Sequence, residues 1–108
     1  MKLDTSKYKL TIYTEKTCVG CVEFKTLLQE NAIPFQEKNI TKDPTKSTGP
    51  SVDNRWEYID ITREYEGEVM LTPLITVEHA DGNVTHHSAG YDFDEAQEGL
   101  EVLKQYFI

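Results

Sequence analysis

Several residue types are scarce in this chain, and each scarcity narrows what the protein can be. Cysteine occurs only twice among 108 residues, and a chain of this length can bury a core without disulfide staples. No apolar run approaches the roughly 20 residues that a membrane-spanning helix needs. The N-terminal segment 1–7 also lacks the apolar stretch of a signal peptide. We therefore expect a cytoplasmic protein.

Positive charge is also scarce. The chain has 11 basic residues against 19 acidic ones, which gives a net charge of −8. The deficit is uneven, because residues 1–31 carry a net charge of +1 and residues 32–108 carry −9. Such a surface repels duplex nucleic acid and anionic membranes. We expect neither as a partner, and we interpret the acidic surface as a device for solubility.

The remaining composition, 38% hydrophobic and 10% aromatic, is typical of one globular domain, which we assign to residues 1–108. Leu10 and Ile12 alternate on one face of a first strand, and a helical spacing of apolar residues follows it. The predicted order is strand 9–13, helix 18–31, strand 35–40, loop 41–52, helix 53–66, strand 71–77, strand 84–87 and a last helix. That order, β-α-β-α-β-β-α, predicts an α/β fold.

Three local patterns predict where helices begin and where two strands are joined. Residues 54–57 have capping-box spacing with Asn54 in the first position, which favours a helix start there. Asp81-Gly82 predicts a tight hairpin. Residues 92–95 predict the capped start of the last helix, with Phe107 at the end of its buried face.

The two cysteines form a Cys18-Val19-Gly20-Cys21 motif between the first strand and the first helix. Unpaired backbone N–H groups and a positive dipole end lie where a helix begins. They should lower the pKa of the Cys18 thiol below the free value of about 8.5. We therefore predict that Cys18 attacks disulfides and that Cys21, facing the core, resolves the intermediate.

A metal site is the alternative interpretation of such a motif. Zinc typically needs four ligands, so two would have to come from His79, His86 and His87. Adjacent residues on a strand point to opposite faces, which separates His86 from His87. The context of strand, Cys-x-x-Cys and helix favours redox chemistry, and we predict no metal ligands.

With these features the chain resembles the glutaredoxins, a family with the thioredoxin fold, and in particular the short dithiol glutaredoxins of phages. Residues 13–21 resemble the segment leading into the active site. Thr72-Pro73 is similar to the cis-proline step before the third strand, and residues 87–92 are similar to the Gly-Gly-x-Asp turn after the fourth strand. The resemblance implies a four-stranded mixed sheet flanked by three helices.

The resemblance also implies roles. The backbone of Thr72 would pair with an extended glutathione or substrate peptide, and Pro73 would line the site beside Cys18. Gly90, Tyr91 and Asp92 would hold the γ-glutamyl end of glutathione, with Asp92 facing its ammonium. Lys16 would contact a carboxylate at the other end of glutathione. The implied protein is a monomeric oxidoreductase with no permanent cofactor, glutathione as co-substrate, and disulfide-bearing clients such as ribonucleotide reductase.

Three positions depart from the family pattern. Glu15 stands where many members have lysine, Ala89 replaces the first turn glycine, and Leu74 follows the cis-proline where glutamine is common. These departures favour an alternative in which thioredoxin reductase, rather than glutathione, recharges the protein. A second alternative is an iron–sulfur cluster or metal carrier, in which Cys18 and glutathione would bridge a cluster between two chains.

Overall fold

A computed structural model describes residues 2–65 and 71–108. The elements are β1 Tyr8–Thr14, α1 Val19–Glu30, β2 Gln36–Asn39, α2 Pro50–Arg63, β3 Leu71–His79, β4 Val84–Ala89 and α3 Ala96–Leu103, with a 3-10 turn at Lys104–Tyr106. The predicted element order and the α/β thioredoxin-like fold class are confirmed. Among the described residues, no helix has the length and apolar character needed to cross a membrane.

The four strands form one mixed sheet in the order β2-β1-β3-β4. β1 and β2 are parallel, and α1 is the crossover between them. β3 runs antiparallel to both β1 and β4. The predicted hairpin at residues 81–82 joins β3 to β4, and Gly82 adopts a φ of +93° that suits its lack of a side chain.

One face of the sheet carries the main core. Leu10 and Ile12 of β1 point to this face, as their alternation predicted, and pack beneath α1 and α3. The remaining buried members of this core are Leu3, Phe24, Leu28, Ile33, Ile75, Val77, Phe93, Leu100, Leu103 and Tyr106. The helices approach closely because Gly99 of α3 faces the Phe24 ring, and a Cβ at residue 99 would lie 2.8 Å from it.

The opposite face is thinner. Within residues 2–65 and 71–108, its buried cluster consists of Tyr13, Ile40 and Leu74, with Tyr58, Ile61 and Tyr65 packed against it. None of the residues of α2 is fully buried. α2 therefore covers this face loosely.

The predicted start of α2 at residue 53 is wrong. The helix begins one turn earlier at Pro50, with Gly49 as its N-cap and no side-chain cap. Proline suits the first helical position because its missing N–H would have no partner there. Asn54 instead donates its side-chain N–H to the Asn39 carbonyl at 3.1 Å, so the supposed cap fastens α2 to β2.

The predicted start of the last helix at residues 92–95 is also wrong. α3 begins at Ala96, and its N-cap residue Glu95 makes no side-chain capping bond. Phe107 lies beyond the 3-10 turn with an extended backbone rather than on the helix. β4 extends two residues past the predicted end at residue 87, to Ala89.

Candidate active site

The first component of the site is Cys18, at the N-cap of α1. β1 ends at Thr14, and Cys18 has extended backbone angles of φ −85° and ψ 104° before the helix begins. Its Sγ accepts a hydrogen bond from the Cys21 N–H at 3.0 Å. This is an N-cap bond in which sulfur takes the place of oxygen. The same geometry would stabilise a thiolate once the cysteine is reduced.

Cys21 differs from Cys18 in its surroundings. Cys21 is 1% exposed and lies against the core, whereas Cys18 is half-buried. The two form a disulfide, with Cα atoms 5.2 Å apart. The structure therefore shows the oxidised state, in which the half-buried sulfur is the one that an incoming thiolate can reach.

Thr72 and Pro73 lie directly beside the disulfide, and the peptide bond between them is cis. The Thr72 carbonyl oxygen is 3.5 Å from Cys18 Sγ. β1 pairs with β3 only as far as Leu74, and β4 pairs with Leu71 and Leu74 but skips the two residues between. The backbone of Thr72 thus lies outside both ladders, which fits the predicted pairing with an extended substrate.

The predicted glutathione-holding turn follows β4. Gly90 has a φ of +80°, and its N–H donates to the Phe93 carbonyl at 2.8 Å. The N–H groups of Tyr91 and Asp92 both donate to the Ser88 carbonyl, at 3.2 and 2.9 Å. Each of these three amides is therefore bonded within the turn.

Asp92 was expected at a helix start, and this expectation is wrong because α3 begins four residues later. Its Oδ2 accepts from the Ser88 N–H at 2.9 Å, which ties the carboxylate to the end of β4. Ser88 Oγ lies 3.2 Å from the Leu71 N–H. The turn is thereby fixed to the residue that precedes Thr72, so it belongs to the same end of the sheet as the sulfur.

Lys16 is exposed, and its backbone N–H donates to Thr41 Oγ1 at 2.7 Å. That bond joins the loop before Cys18 to the loop after β2. The structure thus fixes the Lys16 backbone two residues before Cys18, while the role predicted for its ammonium stays a prediction.

The structure adds a cleft of about 520 Å³ beside Cys18 that the sequence did not predict. It lies between α2 and the ends of β1 and β3, and its lining includes Glu15, Arg55, Tyr58, Leu71 and Thr72. Arg55 Nη1 donates to the Ile40 carbonyl at 2.9 Å, which fixes the guanidinium over the cleft wall. Burial, and then Glu15, raise the pKa of Tyr58.

The three histidines do not converge. His86 Nδ1 lies 2.9 Å from Thr76 Oγ1, and His87 Nε2 lies 2.6 Å from Tyr106 OH, on opposite faces of the sheet as predicted. Burial lowers the pKa of both imidazoles. Within residues 2–65 and 71–108, no three His, Cys, Asp or Glu side chains form a group that would hold a metal ion.

The sheet, the cis-proline and the Cys-x-x-Cys motif at a helix N-cap define a thioredoxin-like thiol-redox domain. Residues 10–66, more than half of the chain, match the family model described as Glutaredoxin. The chain therefore belongs to the glutaredoxin family. The matched region includes both cysteines and ends before Thr72-Pro73 and the turn at residues 90–92.

The chain is also similar to bacterial proteins named global transcriptional regulator Spx. It is 29% identical over 99 residues to Spx 1 of Oceanobacillus iheyensis, covering 92% of this chain and 72% of that protein. It is 44% identical over 39 residues to Spx 2 of Lactococcus lactis, covering 36% of this chain and 30% of that protein. With Spx of Bacillus subtilis it shares 30% over 63 residues, or 58% of this chain and 44% of that protein.

Proposed function

We propose that this chain is a thiol–disulfide oxidoreductase in which Cys18 is the nucleophile, Cys21 resolves the intermediate and glutathione restores the dithiol. The observation that carries the proposal is the hydrogen bond from the Cys21 N–H to Cys18 Sγ, combined with the burial of Cys21. An anion at this N-cap is stabilised by the amide and by the helix dipole. The buried partner can react only with a sulfur bonded to Cys18.

The proposed reaction consists of two exchanges. The Cys18 thiolate attacks one sulfur of a client disulfide; a Cys18–client bond forms, the client S–S bond breaks, and the released client thiolate takes a proton. Deprotonated Cys21 then attacks Cys18 Sγ, which forms the Cys18–Cys21 disulfide and releases the second client thiol. Ribonucleotide reductase is a candidate client on family grounds.

Two glutathione molecules then reduce the Cys18–Cys21 disulfide. One glutathione thiolate attacks Cys18 Sγ, so that a glutathione–Cys18 disulfide forms and Cys21 leaves as a thiol. A second glutathione attacks the glutathione sulfur, releasing glutathione disulfide and the Cys18 thiolate. The Thr72 backbone, which is paired with neither neighbouring strand, would align the peptide, and the Asp92 carboxylate, whose side chain is 26% exposed, would face its ammonium.

The experiment compares two reductants on a disulfide client. Glutathione with glutathione reductase should support turnover, and thioredoxin reductase alone should not. Cys18→Ser should abolish turnover. Cys21→Ser is the matched control, since it should still reduce glutathionylated substrates, where Cys18 alone forms and loses the mixed disulfide. Turnover with thioredoxin reductase only, together with an inactive but folded Cys21→Ser, would favour the alternative reductant.

A second candidate function is a redox-responsive regulator of transcription, and the similarity to Spx 1 over 92% of this chain favours it. The acidic surface disfavours direct contact with DNA, so such a regulator would act through a protein partner. In cells, Cys18→Ser and Cys21→Ser should then change the same set of transcripts after disulfide stress. Turnover in vitro without any effect on transcripts would leave the oxidoreductase as the function.

A further inference from the structure

A half-buried histidine lies behind the Asp92 carboxylate, and the reaction proposed above does not use it. His87 Nδ1 is 3.8 Å from Asp92 Oδ2, and the His87 side chain is 12% exposed. This separation is too long for a hydrogen bond, but it is close enough for the charge on the carboxylate to act on the ring. The same carboxylate oxygen accepts from the Ser88 N–H at 2.9 Å. Asp92 is thus bounded by an amide on one side and an imidazole on the other.

The other ring nitrogen of His87 is held by the C-terminal 3-10 turn. His87 Nε2 lies 2.6 Å from the hydroxyl of Tyr106, a residue that is 4% exposed. Burial raises the pKa of the Tyr106 hydroxyl, and a hydrogen bond from Thr85 lowers it in part. Thr85 Oγ1 in turn lies 2.8 Å from His79 Nε2.

These contacts allow two directions of donation, and the charge on Asp92 favours one of them. A neutral imidazole has one N–H donor and one acceptor nitrogen. At Nδ1 a proton would attract the Asp92 carboxylate, whereas a lone pair would repel it. Nε2 must then accept from the Tyr106 hydroxyl, Tyr106 accepts from Thr85, and Thr85 accepts from His79 Nε2–H. The hydrogen bonds then all donate from His79 toward His87, an arrangement in which successive hydrogen bonds polarise one another, and the protonated Nδ1 faces the Asp92 carboxylate.

We propose that His87 is a positioning residue that carries its proton on Nδ1, facing Asp92, while Nε2 accepts from Tyr106, and so orients the Asp92 carboxylate toward the ammonium of a bound thiol substrate. This inference rests on the proposed function for its ligand, the α-ammonium end of glutathione. Its structural part concerns only the protonated nitrogen of His87 and can be measured with no substrate present.

The first test is a long-range proton–nitrogen NMR spectrum of the protein with 15N-labelled histidine. His87 should show protonated Nδ1 and unprotonated Nε2. Asp92→Asn removes the charge that attracts a proton to Nδ1 and should increase the fraction of His87 that is protonated at Nε2. Protonated Nε2 in the wild type would overturn the proposal, as would an unchanged fraction in Asp92→Asn.

The second test uses two variants of His87, each of which keeps a nitrogen at only one of the two ring-nitrogen positions. In His87→Asn the amide nitrogen takes the position of Nδ1, and in His87→Gln it takes the position of Nε2. His87→Gln should raise the KM for glutathione about tenfold, a loss of about 1.4 kcal/mol, with kcat within about twofold of wild type. His87→Asn should keep a KM within about twofold. Equal KM values for the two variants would overturn the positioning role.

The two tests separate the two proposals. If the wild type shows no turnover with glutathione but His87 is protonated at Nδ1, the proposed reductant and the ammonium ligand fail together, and the assigned tautomer stands. If turnover with glutathione is normal and His87 is protonated at Nε2, the oxidoreductase stands and the positioning role fails.

Discussion

The two faces of the sheet are packed very differently. Among the described residues, the core on the α1 and α3 face has twelve buried members, whereas the cluster on the α2 face has three. The thin packing under α2 leaves room for the cleft that Arg55, Tyr58 and Cys18 line. The difference shows that the two faces of this small domain contribute differently to stability and to access. The α1 and α3 face supplies stability and a rigid helix for the sulfur, and the α2 face supplies access to it.

The largest effect that we expect is a loss of stability when a buried side chain is truncated, and one truncation on each face tests the comparison. Leu28→Ala removes a fully buried side chain of α1 and should lower the free energy of unfolding by about 2–5 kcal/mol. Ile61→Ala removes a half-buried side chain of α2 and should cost about 1 kcal/mol. Denaturant unfolding measures both. Equal losses would mean that the α2 face contributes as much as the main core.

The close approach of α3 to α1 gives the next largest effect. In Gly99→Ala the new methyl would lie 2.8 Å from the Phe24 ring and 3.1 Å from Phe93, both in the core. Overpacking costs about 1–3 kcal/mol, against a gain of about 1 kcal/mol in helix propensity, so we expect net destabilisation. Gly20→Ala in α1 is the control, because its Cβ would meet only Pro73 at 3.9 Å. A melting temperature lower for the control than for Gly99→Ala would contradict the packing argument.

A smaller effect is expected where β1 ends, just before the active-site loop. Thr14 Oγ1 donates to Glu37 Oε2 at 2.6 Å, and Lys25 of α1 donates to the same oxygen at 2.9 Å. Burial raises the pKa of Glu37, but these two donors outweigh it and lower the pKa overall. Thr14→Val removes one donor and should cost about 1 kcal/mol of unfolding free energy.

Thr26→Val is the control for Thr14→Val, since the Thr26 hydroxyl is exposed and donates to the Val22 carbonyl of its own helix. Its unfolding free energy should stay within about 0.5 kcal/mol of wild type. Identical losses in the two variants would show that the Thr14–Glu37 bond does not stabilise the end of β1.

The smallest effect is a pH dependence that both faces share. Burial lowers the pKa of His86 on the α2 face and of His87 on the α3 face, although acidic neighbours raise it in part. A histidine whose pKa is depressed by folding stabilises the protein above the unfolded value of about 6.5, and this stability is lost as the pH falls through the folded pKa. Unfolding free energy should therefore decrease as the pH drops below about 6.5.

Single replacements test that pH dependence. His86→Gln and His87→Gln should each flatten part of the slope between about pH 6.5 and 5, where carboxylates still contribute little. A wild-type stability that is level or rising across this interval would contradict the account. A slope that only one variant changes would assign the dependence to one face.

Local patterns predicted most of the fold. The alternation of Leu10 and Ile12 and the helical spacing of Cys21, Phe24, Leu27 and Leu28 are short-range signals. The structure buries all of these residues except Leu27, which is half-buried. The cis bond at Thr72-Pro73, which the family resemblance implied, is present. In such segments local preference and tertiary packing agree.

The misplaced helix starts have a common cause. Asn54 and Asp92 are residues that favour helix N-caps, but each satisfies a backbone group elsewhere. Asn54 donates to the Asn39 carbonyl, and Asp92 accepts from the Ser88 N–H. A local pattern does not reveal which backbone group a polar side chain will contact.

The parts of the site that the sequence did not reveal depend on contacts between distant residues. Arg55 reaches the Ile40 carbonyl 15 positions away, and His87 reaches Tyr106 across 19 positions. Neither pair has a spacing that belongs to a helix or a strand. Only the assembled sheet brings them to the cleft and to the turn.

The most direct test of the central claim is the rate of alkylation of the reduced protein by iodoacetamide as a function of pH, with the modified residue identified by mass spectrometry. The account predicts that Cys18 reacts first and that its rate is half-maximal well below about pH 8.5, the value for a free thiol. Half-maximal reaction near or above pH 8.5, or modification of Cys21 before Cys18, would contradict the claim that the start of α1 holds Cys18 as a thiolate.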